Sequence, residues 1–329
     1  MKIYINNENR IVAECEHTGE TAFYLKSGKK FIEKEFYKKR KKYIFNSIPQ
    51  TGMLSVLFFL KNEDGSVIKE ELVTHFYNRK KNELKKLNER TIVEKKDYKI
   101  TYYDNESDIT FITFNGARST KQDIPFGFNF VLENGWNLIN VAQDNNTQYQ
   151  SLSLEDFYNN VYPLIMDKKI FSYGSSLGGY CALYYGSVVN ATIIAASPRN
   201  SAHPMIADKE WSSITFNHLH IGKIKLSSNP VFIVYDSLIS KDSKFINDVF
   251  LPYYPNSYLL SIPGGSHQVL QCMLEAGVLK IYIMSIVKNS YNDSKCKYIK
   301  AKCLYNLKNF EIAFELMDSL INSKLKFID

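Results

Sequence analysis

Short apolar runs separated by turn residues fill the first 80 residues of the chain. They alternate hydrophobic and polar positions or are continuously apolar, and both patterns are typical of β-strands. Asp64 and Gly65 lie between two such runs and favour a hairpin turn. The pattern predicts a β-sandwich-like module over residues 1–80, with strands in KIYI, ETAFYLK, KKYIFNSI and MLSVLFFLKNEDGSVI.

A change of pattern follows this module. Residues 81–100 are polar and charged, so we expect a linker or a bridging helix there. From Tyr98 onward, short apolar runs alternate with stretches that are mostly long enough for helices. This alternation predicts a mostly parallel sheet covered on both faces, in a domain spanning residues 101–290. The predicted strands are KITYYD, DITFITFNG, WNLINVAQ, KIFSYGSS, ATIIAASP, PVFIVYD and SYLLSIPGG.

The last part of the chain, residues 291–329, has a helical pattern. Apolar residues recur at spacings of three and four in two segments joined by Lys308 and Asn309. The pair resembles one tetratricopeptide-type hairpin, whose expected packing positions are Ala301, Leu304, Tyr305, Ala313 and Leu316. A lone repeat cannot bury its own face, so we expect this hairpin to dock on the core. The alternative is a docking site for a protein partner.

Charge and cysteine content exclude several classes of protein. The net charge of +7 is modest for 329 residues and does not by itself indicate nucleic acid, so no nucleic-acid partner is expected. The basic run from Lys29 to Lys42 has two interpretations: a solvated strand edge, or a contact surface for an anionic polymer or a membrane. The five cysteines form no CxxC pair, so neither a disulfide framework nor a metal site is expected.

The sequence gives no sign of a membrane protein. The N-terminus lacks the basic-then-apolar run of a secretory signal. The most apolar stretch, from Val278 to Val287, is much shorter than the ~20 residues needed to cross a bilayer, and it carries Lys280. We therefore expect a cytoplasmic protein without a transmembrane segment.

The strongest chemical signal is the G-x-S-x-G pattern formed by Gly174, Ser176 and Gly178. A β-rich run enters it and an Ala/Leu/Tyr-rich helical segment leaves it. Such a strand-to-helix turn lifts a serine hydroxyl above the sheet edge, where the free N–H groups of the helix N-terminus stabilise a developing oxyanion. Ser176 is therefore the predicted nucleophile, and the N–H of Leu177 is a predicted oxyanion donor.

The segments GSSLGGYCALYYG and IPGGSHQVL resemble the α/β-hydrolase superfamily. More narrowly, they resemble hydrolase-fold proteins of bacterial surface-polysaccharide gene clusters, some of which are esterases or O-acetyltransferases. The resemblance covers about residues 100 to 290 and is specific only around Ser176. It implies an α/β-hydrolase fold, here with the N-terminal β-rich module and the C-terminal hairpin as additions. It also implies a base and an acid that follow the nucleophile along the chain.

The resemblance indicates where these partners lie. His267 follows the last predicted core strand in a Pro-Gly-Gly-Ser turn, where the family carries its base. Asp236 and Asp242 both follow the preceding strand, and the family's acid lies in that loop. Asp242 is preferred because it lies a few residues beyond the strand, whereas Asp236 ends the strand and could brace the loop. His218 and His220 lack nearby carboxylate or thiol ligands, so no metal pair is predicted.

The remaining predictions concern the oxyanion hole and the substrate. Gly116 or Ala117, after the strand that ends near Phe114, is expected to supply the second oxyanion N–H. Arg118 and Arg199 are candidates for holding a carboxylate or phosphate of the substrate, with surface arginines as the alternative.

Together these residues predict an acyl-transfer enzyme acting on an ester or on an acetylated or anionic polysaccharide. No cofactor is expected, although a transferase would use acetyl-CoA as a co-substrate. The alternative function is a non-catalytic scaffold in polysaccharide or protein export.

Overall fold

The computed structural model describes residues 1–206 and 209–325, in two compact units. The first unit comprises Met1–Arg90, Tyr102–Ser107 and Gly127–Leu138. The remaining residues form the second unit, which contains Ser176 and His267.

The first unit consists mainly of antiparallel strands. In chain order these are β1 (Lys2–Ile5), β2 (Ile11–Glu14), β3 (Glu20–Ser27), β4 (Lys30–Lys39), β5 (Lys42–Ile44), β6 (Gly52–Lys61), β7 (Val67–Asn78) and β8 (Glu83–Lys86). They form a three-stranded sheet, β1-β2-β5, and a five-stranded sheet, β4-β3-β6-β7-β8. The unit also contains the short helix α1 (Phe128–Glu133).

One hydrophobic core joins the two sheets of the first unit. It contains Ile3 and Ile11 from the smaller sheet together with Phe23 and Phe58 from the larger one. The predicted hairpin is confirmed, because β6 and β7 pair in antiparallel fashion on either side of the turn. Gly65 adopts a φ of 82° in that turn, which explains the glycine after Asp64.

The charged segment at 81–100 differs from the expected linker or bridging helix. It forms strand β8, then β9 (Glu89–Glu94) and the start of β10 (Tyr98–Tyr103). β8 and β9 each lie at the edge of a sheet. Edge strands carry charged side chains that discourage pairing with other molecules. This placement explains why the segment is polar although it forms strands.

An eight-stranded sheet, with most of its residues in the second unit, underlies the candidate site. It contains β9 and β10 together with β11 (Ile109–Phe114), β12 (Asn137–Gln143), β13 (Lys169–Ser175), β14 (Thr192–Ala196), β15 (Val231–Tyr235) and β16 (Tyr258–Ser261). The order is β16-β15-β14-β13-β11-β12-β10-β9. Four neighbouring pairs, from β11–β13 through β15–β16, are parallel. The chain is therefore a mixed α/β protein with a mostly parallel central sheet.

The helices of the second unit follow these strands. They are α2 (Leu154–Ile165), α3 (Leu177–Val188), α4 (Ser240–Phe245), α5 (Val269–Glu275), α6 (Leu279–Val287), α7 (Asp293–Asn306) and α8 (Phe310–Leu325). All twelve residues of α3 are buried. This burial explains why α3 is apolar on all sides, as is typical of a core helix.

Helices α7 and α8 form the predicted C-terminal helical pair. Ala301, Leu304 and Ala313 are buried, as their expected packing positions require. Leu316 is partly buried, whereas Tyr305 is 52% exposed. The ring of Tyr305 lies 5.2 Å from that of Phe310, so it packs at the surface of the hairpin instead of inside it.

No single helix among residues 1–206 and 209–325 is long and apolar enough to cross a membrane. Helices α5 and α6 taken together have the length and apolar composition of a membrane-spanning segment, but the chain bends by 105° at the break between them.

Candidate active site

Ser176 lies in a sharp turn between β13 and α3. The strand ends at Ser175 and the helix begins at Leu177, so a single residue makes the turn. Its backbone has φ 54° and ψ −119°, a combination that side-chain-bearing residues rarely adopt. Its N–H donates to the carbonyl of Ala196 at 2.8 Å, and its carbonyl accepts from the N–H of Arg199 at 3.1 Å. These two bonds hold the strained turn against the end of β14.

Close backbone contacts require glycine at three positions around the turn. A Cβ atom on Gly174 would lie 2.1 Å from the carbonyl oxygen of Gly178. One on Gly178 would lie 2.4 Å from the carbonyl oxygen of Phe114, and one on Gly179 would lie 2.8 Å from that of Ala196. Because these obstacles are backbone atoms of core elements, they cannot move aside cheaply. The glycine spacing is therefore a steric requirement of the turn.

His267 lies between Ser176 and Asp242. Its Nε2 is 2.8 Å from Oγ of Ser176, and its Nδ1 is 2.6 Å from Oδ2 of Asp242. A carboxylate only accepts hydrogen bonds, so Nδ1 carries the proton and the lone pair of Nε2 faces the serine. The hydroxyl of Ser176 then donates to Nε2. This geometry allows a general base to remove the serine proton.

The carboxylate of Asp242 is fully buried in the first turn of α4. Besides the bond from His267, it accepts one from Nη1 of Arg199 at 3.0 Å. These two donors offset the loss of hydration of a buried carboxylate. Arg199 was a candidate for holding the substrate, but the structure pairs it with Asp242.

Asp236 has a different position from Asp242. Its Oδ1 accepts the N–H of Leu238 at 2.8 Å, and its Oδ2 accepts the N–H of Ser266 at 2.9 Å. It thus links the end of β15 to the residue that precedes His267. This is the bracing role considered for it from the sequence, and it positions the histidine loop.

The three predicted oxyanion donors lie on two segments next to Ser176. Leu177 is the first residue of α3, so its N–H has no acceptor within the helix. Gly116 and Ala117 follow β11, and the carbonyl of Gly116 accepts from Nε2 of Gln143 at 3.1 Å. That bond fixes the loop, while the role of its N–H groups stays a prediction.

Arg118 pairs with a surface residue and not with Ser176, His267 or Asp242. Its side chain is 68% exposed and pairs with Glu210, which is 58% exposed, at 2.5 Å. Exposed ion pairs of this kind contribute little to stability. The position agrees with the surface arginine considered as the alternative from the sequence.

His218 is surrounded by tyrosine rings behind α3. Tyr180 and Tyr184 stack against it at centroid distances of 5.6 and 4.5 Å. Its Nε2 lies 3.0 Å from the carbonyl oxygen of Tyr149, so Nε2 carries the proton, and Nδ1 accepts from the hydroxyl of Tyr180 at 3.0 Å. Burial lowers the pKa of His218 to about 4. The ring is therefore neutral near pH 7 and acts as a structural connector.

His203 has a similar environment. Its ring packs against Phe216 and Phe245, at centroid distances of 4.7 and 5.0 Å. Burial lowers its pKa to about 4. Within the part of the chain that the structure describes, no group of three or more histidine, cysteine, aspartate or glutamate residues could hold a metal ion.

Comparison with known proteins gives only distant similarities. No protein-family model and no curated protein matches the chain. Among solved structures, the capsule O-acetyltransferase of Neisseria meningitidis serogroup A is 15% identical, with 66% of this chain and 94% of that chain covered and a TM-score of 0.42.

Two further structures are similar at the same level. For the glycosylation-associated protein (Gap123) complex from Streptococcus agalactiae, the identity is 13%, the coverage is 87% of this chain and 71% of that chain, and the TM-score is 0.44. The Francisella virulence factor BioJ is 14% identical, with 62% of this chain and 84% of that chain covered and a TM-score of 0.33. Similarities this low define neither the family nor the activity of the chain.

The environment of His218 predicts a loss of stability in acid. Because the folded-state pKa is about 4 and the ordinary value is 6.5, the unfolded chain binds a proton more readily below pH 6.5. The stabilisation that comes from the neutral His218 is fully present above pH 6.5 and is lost as the pH falls towards 4. Because burial also lowers the pKa of His203, His203 changes the free energy of unfolding in the same direction. We expect the urea midpoint to fall between about pH 7 and about pH 5, and to fall less in His218→Gln.

The exposed His220 supplies the matched control. His220→Gln should keep the part of the pH dependence that comes from His218, although the charge of His220 contributes to the lowered pKa of His203. An unchanged pH dependence in His218→Gln would show that His218 is not responsible.

Proposed function

We propose that the protein is a serine-dependent acyl-transfer enzyme of the α/β-hydrolase fold. Ser176 is the nucleophile, His267 the general base and Asp242 the acid that orients the histidine. The observation that carries this proposal is the continuous hydrogen-bonded series from Ser176 Oγ through His267 to Asp242, with distances of 2.8 and 2.6 Å. These three residues are far apart in the sequence and meet only through the fold.

The order of the strands supports the same fold. Counted along the chain from β9, Ser176 follows the fifth strand of the eight-stranded sheet, Asp242 the seventh and His267 the eighth. Nucleophile, acid and base occur in this chain order in α/β-hydrolases. The parallel pairing from β13 to β16 brings their following loops to one edge of the sheet.

The proposed reaction proceeds through an acyl-enzyme. Nε2 of His267 takes the hydroxyl proton as Oγ of Ser176 attacks the ester or thioester carbonyl. The N–H of Leu177 and an N–H from Gly116 or Ala117 stabilise the oxyanion, and each such donor typically contributes 10²–10³-fold to kcat. The protonated His267 then gives its proton to the leaving group, and Ser176 keeps the acyl group.

The second half of the reaction determines the product. His267 removes a proton from an acceptor hydroxyl as that oxygen attacks the acyl-enzyme carbonyl. It then returns the proton to Oγ of Ser176 as the bond between Oγ and the acyl group breaks. When water is the acceptor the enzyme is an esterase or deacetylase; when a sugar hydroxyl is the acceptor, it is an O-acetyltransferase. In the latter case acetyl-CoA supplies the acyl group as a co-substrate, and no cofactor stays bound.

The distance between Ser176 and His267 disfavours the alternative function, a non-catalytic scaffold. That hypothesis requires the two side chains to lie apart or the serine to be inaccessible. They are within hydrogen-bonding distance, and Ser176 is partly exposed. A scaffold has no physical need for a buried carboxylate that orients an imidazole towards a strained serine.

The first unit supports an anionic polysaccharide as the substrate class. Strand β4 lies at the edge of its sheet, and its Phe36 is 64% exposed. On the same strand, the ammonium group of Lys34 lies 4.8 Å from the ring of Phe31, which is 40% exposed. Aromatic rings offer flat apolar faces to sugars, and lysines attract carboxylate or phosphate groups.

The C-terminal hairpin supports a protein partner of helical character. Several of its apolar side chains are exposed, namely Tyr305, Phe310, Ile312, Phe314 and Ile321. In arrays of such hairpins the neighbouring repeat covers this kind of surface. A helical hairpin of another protein is therefore the partner that fits it.

The nucleophile can be tested by covalent labelling. We expect a fluorophosphonate probe to modify Ser176, and Ser176→Ala to lose labelling together with at least about 10³-fold of the turnover of a chromogenic acetyl ester. Ser175→Ala changes the adjacent serine and is the matched control that should retain both. Equal ester turnover by wild type and Ser176→Ala would refute the proposal.

The two aspartates can be separated by amide substitution. Asp242→Asn leaves one acceptor oxygen, which Arg199 holds, and places an NH₂ group against Nδ1 of His267. His267 then loses its productive tautomer, and we expect kcat to fall by about 10²–10⁴-fold. Asp236→Asn keeps one acceptor oxygen for the loop, so its effect on kcat should be below about 10-fold. A larger effect on kcat for Asp236→Asn, at equal thermal stability, would assign the acid to Asp236.

The polysaccharide surface can be tested by charge reversal. We expect Lys34→Glu to weaken retention on an anionic glycan such as hyaluronate, and added salt should reduce the difference from wild type. Lys280→Glu, on the exposed side of α6, makes the same change in net charge and is the control. If both variants weaken retention equally, net charge and not the β4 surface is responsible.

A further inference from the structure

Buried polar atoms without a partner are concentrated near Ser176. In the described parts of the chain, eight buried side-chain nitrogen or oxygen atoms have no hydrogen-bond partner. Six of them belong to segments that follow β11, β12 and β14: Asn115 Nδ2, Thr147 Oγ1, Gln148 Nε2, Ser197 Oγ, Arg199 Nε and Asn200 Nδ2. Folded proteins satisfy nearly all buried polar groups, so a cluster of exceptions needs an explanation.

The orientation of the three amides is fixed by the backbone. Oδ1 of Asn115 accepts the N–H of Phe126 at 3.1 Å. Oε1 of Gln148 accepts the N–H of Ser201 at 3.2 Å, and Oδ1 of Asn200 accepts the N–H of Ala202 at 3.0 Å. Exchanging oxygen and nitrogen would place two donors together in each case. Each NH₂ group is therefore held as a donor with no protein acceptor.

Hydrogen bonds connect these segments to one another and to the nucleophile. The hydroxyl of Tyr149 donates to the carbonyl of Asn115 at 2.8 Å, which joins the segments after β11 and β12. The bond from Ser201 to Gln148 joins the segments after β12 and β14. The N–H of Arg199 donates to the carbonyl of Ser176. The unpartnered donors thus belong to one network around the candidate nucleophile.

We propose that these groups form a subsite for the oxygen atoms of a carbohydrate next to Ser176. The inference rests on the proposed function and adds a class of acceptor to it. The three NH₂ groups and Nε of Arg199 only donate, so the complementary ligand is rich in acceptor oxygens. A sugar that carries an N-acetyl carbonyl or a carboxylate offers such oxygens together with the hydroxyl that receives the acyl group.

The burial of these donors adds a requirement. They are covered in this conformation, and three of the six atoms lie on residues 197–200. Sugar binding therefore involves a shift of this segment. The shift exchanges unpartnered donors for hydrogen bonds to the ligand, and a site built in this way discriminates strongly against analogues that lack the acceptor groups.

The experiment compares two kinds of reaction in variants that remove donors. Gln148→Glu and Asn200→Asp keep the acceptor oxygen for the backbone N–H and replace the NH₂ group with oxygen. We expect kcat/KM for acetylated oligosaccharides, or for acetyl transfer to them, to fall by about 10–100-fold, mainly through KM. Hydrolysis of a small chromogenic acetyl ester should change less than about 3-fold, because it needs only the chemistry at Ser176.

Asn159→Asp, at an exposed asparagine of α2, is the matched control and should leave both reactions unchanged. If Gln148→Glu fails to fold, Asn115→Asp makes the corresponding change at another of the three amides, where the retained oxygen still accepts the N–H of Phe126. A parallel decrease of both reactions in the donor variants would show a structural role and overturn the proposal. Unchanged saccharide kinetics would overturn it as well.

A binding measurement separates this proposal from the proposed function. Calorimetric titration of Ser176→Ala with N-acetylhexosamine, uronate and neutral hexose oligosaccharides requires no catalysis. We expect binding of the N-acetylated or the uronate ligand, and its loss in the double variant with Gln148→Glu. Equal binding by the two proteins, or preference for the neutral ligand, would reject the subsite even if Ser176 is the nucleophile. Absence of labelling at Ser176 would reject the proposed function and leave the binding result valid.

Discussion

The candidate site depends on one buried carboxylate, that of Asp242. A carboxylate withdrawn from water is stable only when donors replace its hydration. Here the donors are His267 and Arg199, at 2.6 and 3.0 Å. Asp242 lies on the helix after β15, whereas its partners follow β16 and β14. Three loops from three strands are therefore held together by one carboxylate. Arg199 also contacts the carbonyl of Ser176 through its own N–H, so the same interactions fix the nucleophile.

The turn at Ser176 is the second constraint, and it depends on the surrounding sheet. A non-glycine residue at φ 54° costs free energy that neighbouring contacts must offset. One contact that holds the turn is the close approach of Gly178 to the carbonyl of Phe114, which places the start of α3 against the end of β11. The loop that carries Gly116 begins one residue after β11 ends. The contact that makes glycine necessary at position 178 therefore also brings the two predicted oxyanion segments together.

Features that depend on short-range geometry could be predicted from local sequence motifs. The glycine pattern identified Ser176, and the Pro-Gly-Gly-Ser turn after a strand identified His267; the structure places the two 2.8 Å apart. Pairing between side chains that are distant in the sequence could not be predicted. The sequence leaves Arg199 open between a substrate contact and a surface arginine, because nothing in it links this residue to Asp242, 43 positions later. The composition of residues 81–100 predicts a linker or a bridging helix, because charged edge strands have a similar composition to both. Gln148 was not identified, although the polar run AQDNNTQ at the end of β12 is a signal for a site at that edge.

The two roles of residues 197–200 connect substrate binding to catalysis in the proposed enzyme. Arg199 supplies one of the two donors to Asp242, and its neighbour Asn200 carries one of the unpartnered amide groups. A sugar that hydrogen-bonds to Asn200 and to Nε of Arg199 would contact the same residues that hold the acid. Because Arg199 also donates to Asp242 and to the carbonyl of Ser176, the shift of residues 197–200 that sugar binding requires would be coupled to the positions of the acid and the nucleophile. This coupling gives a transferase a physical reason to distinguish a sugar from water, since water makes none of these contacts.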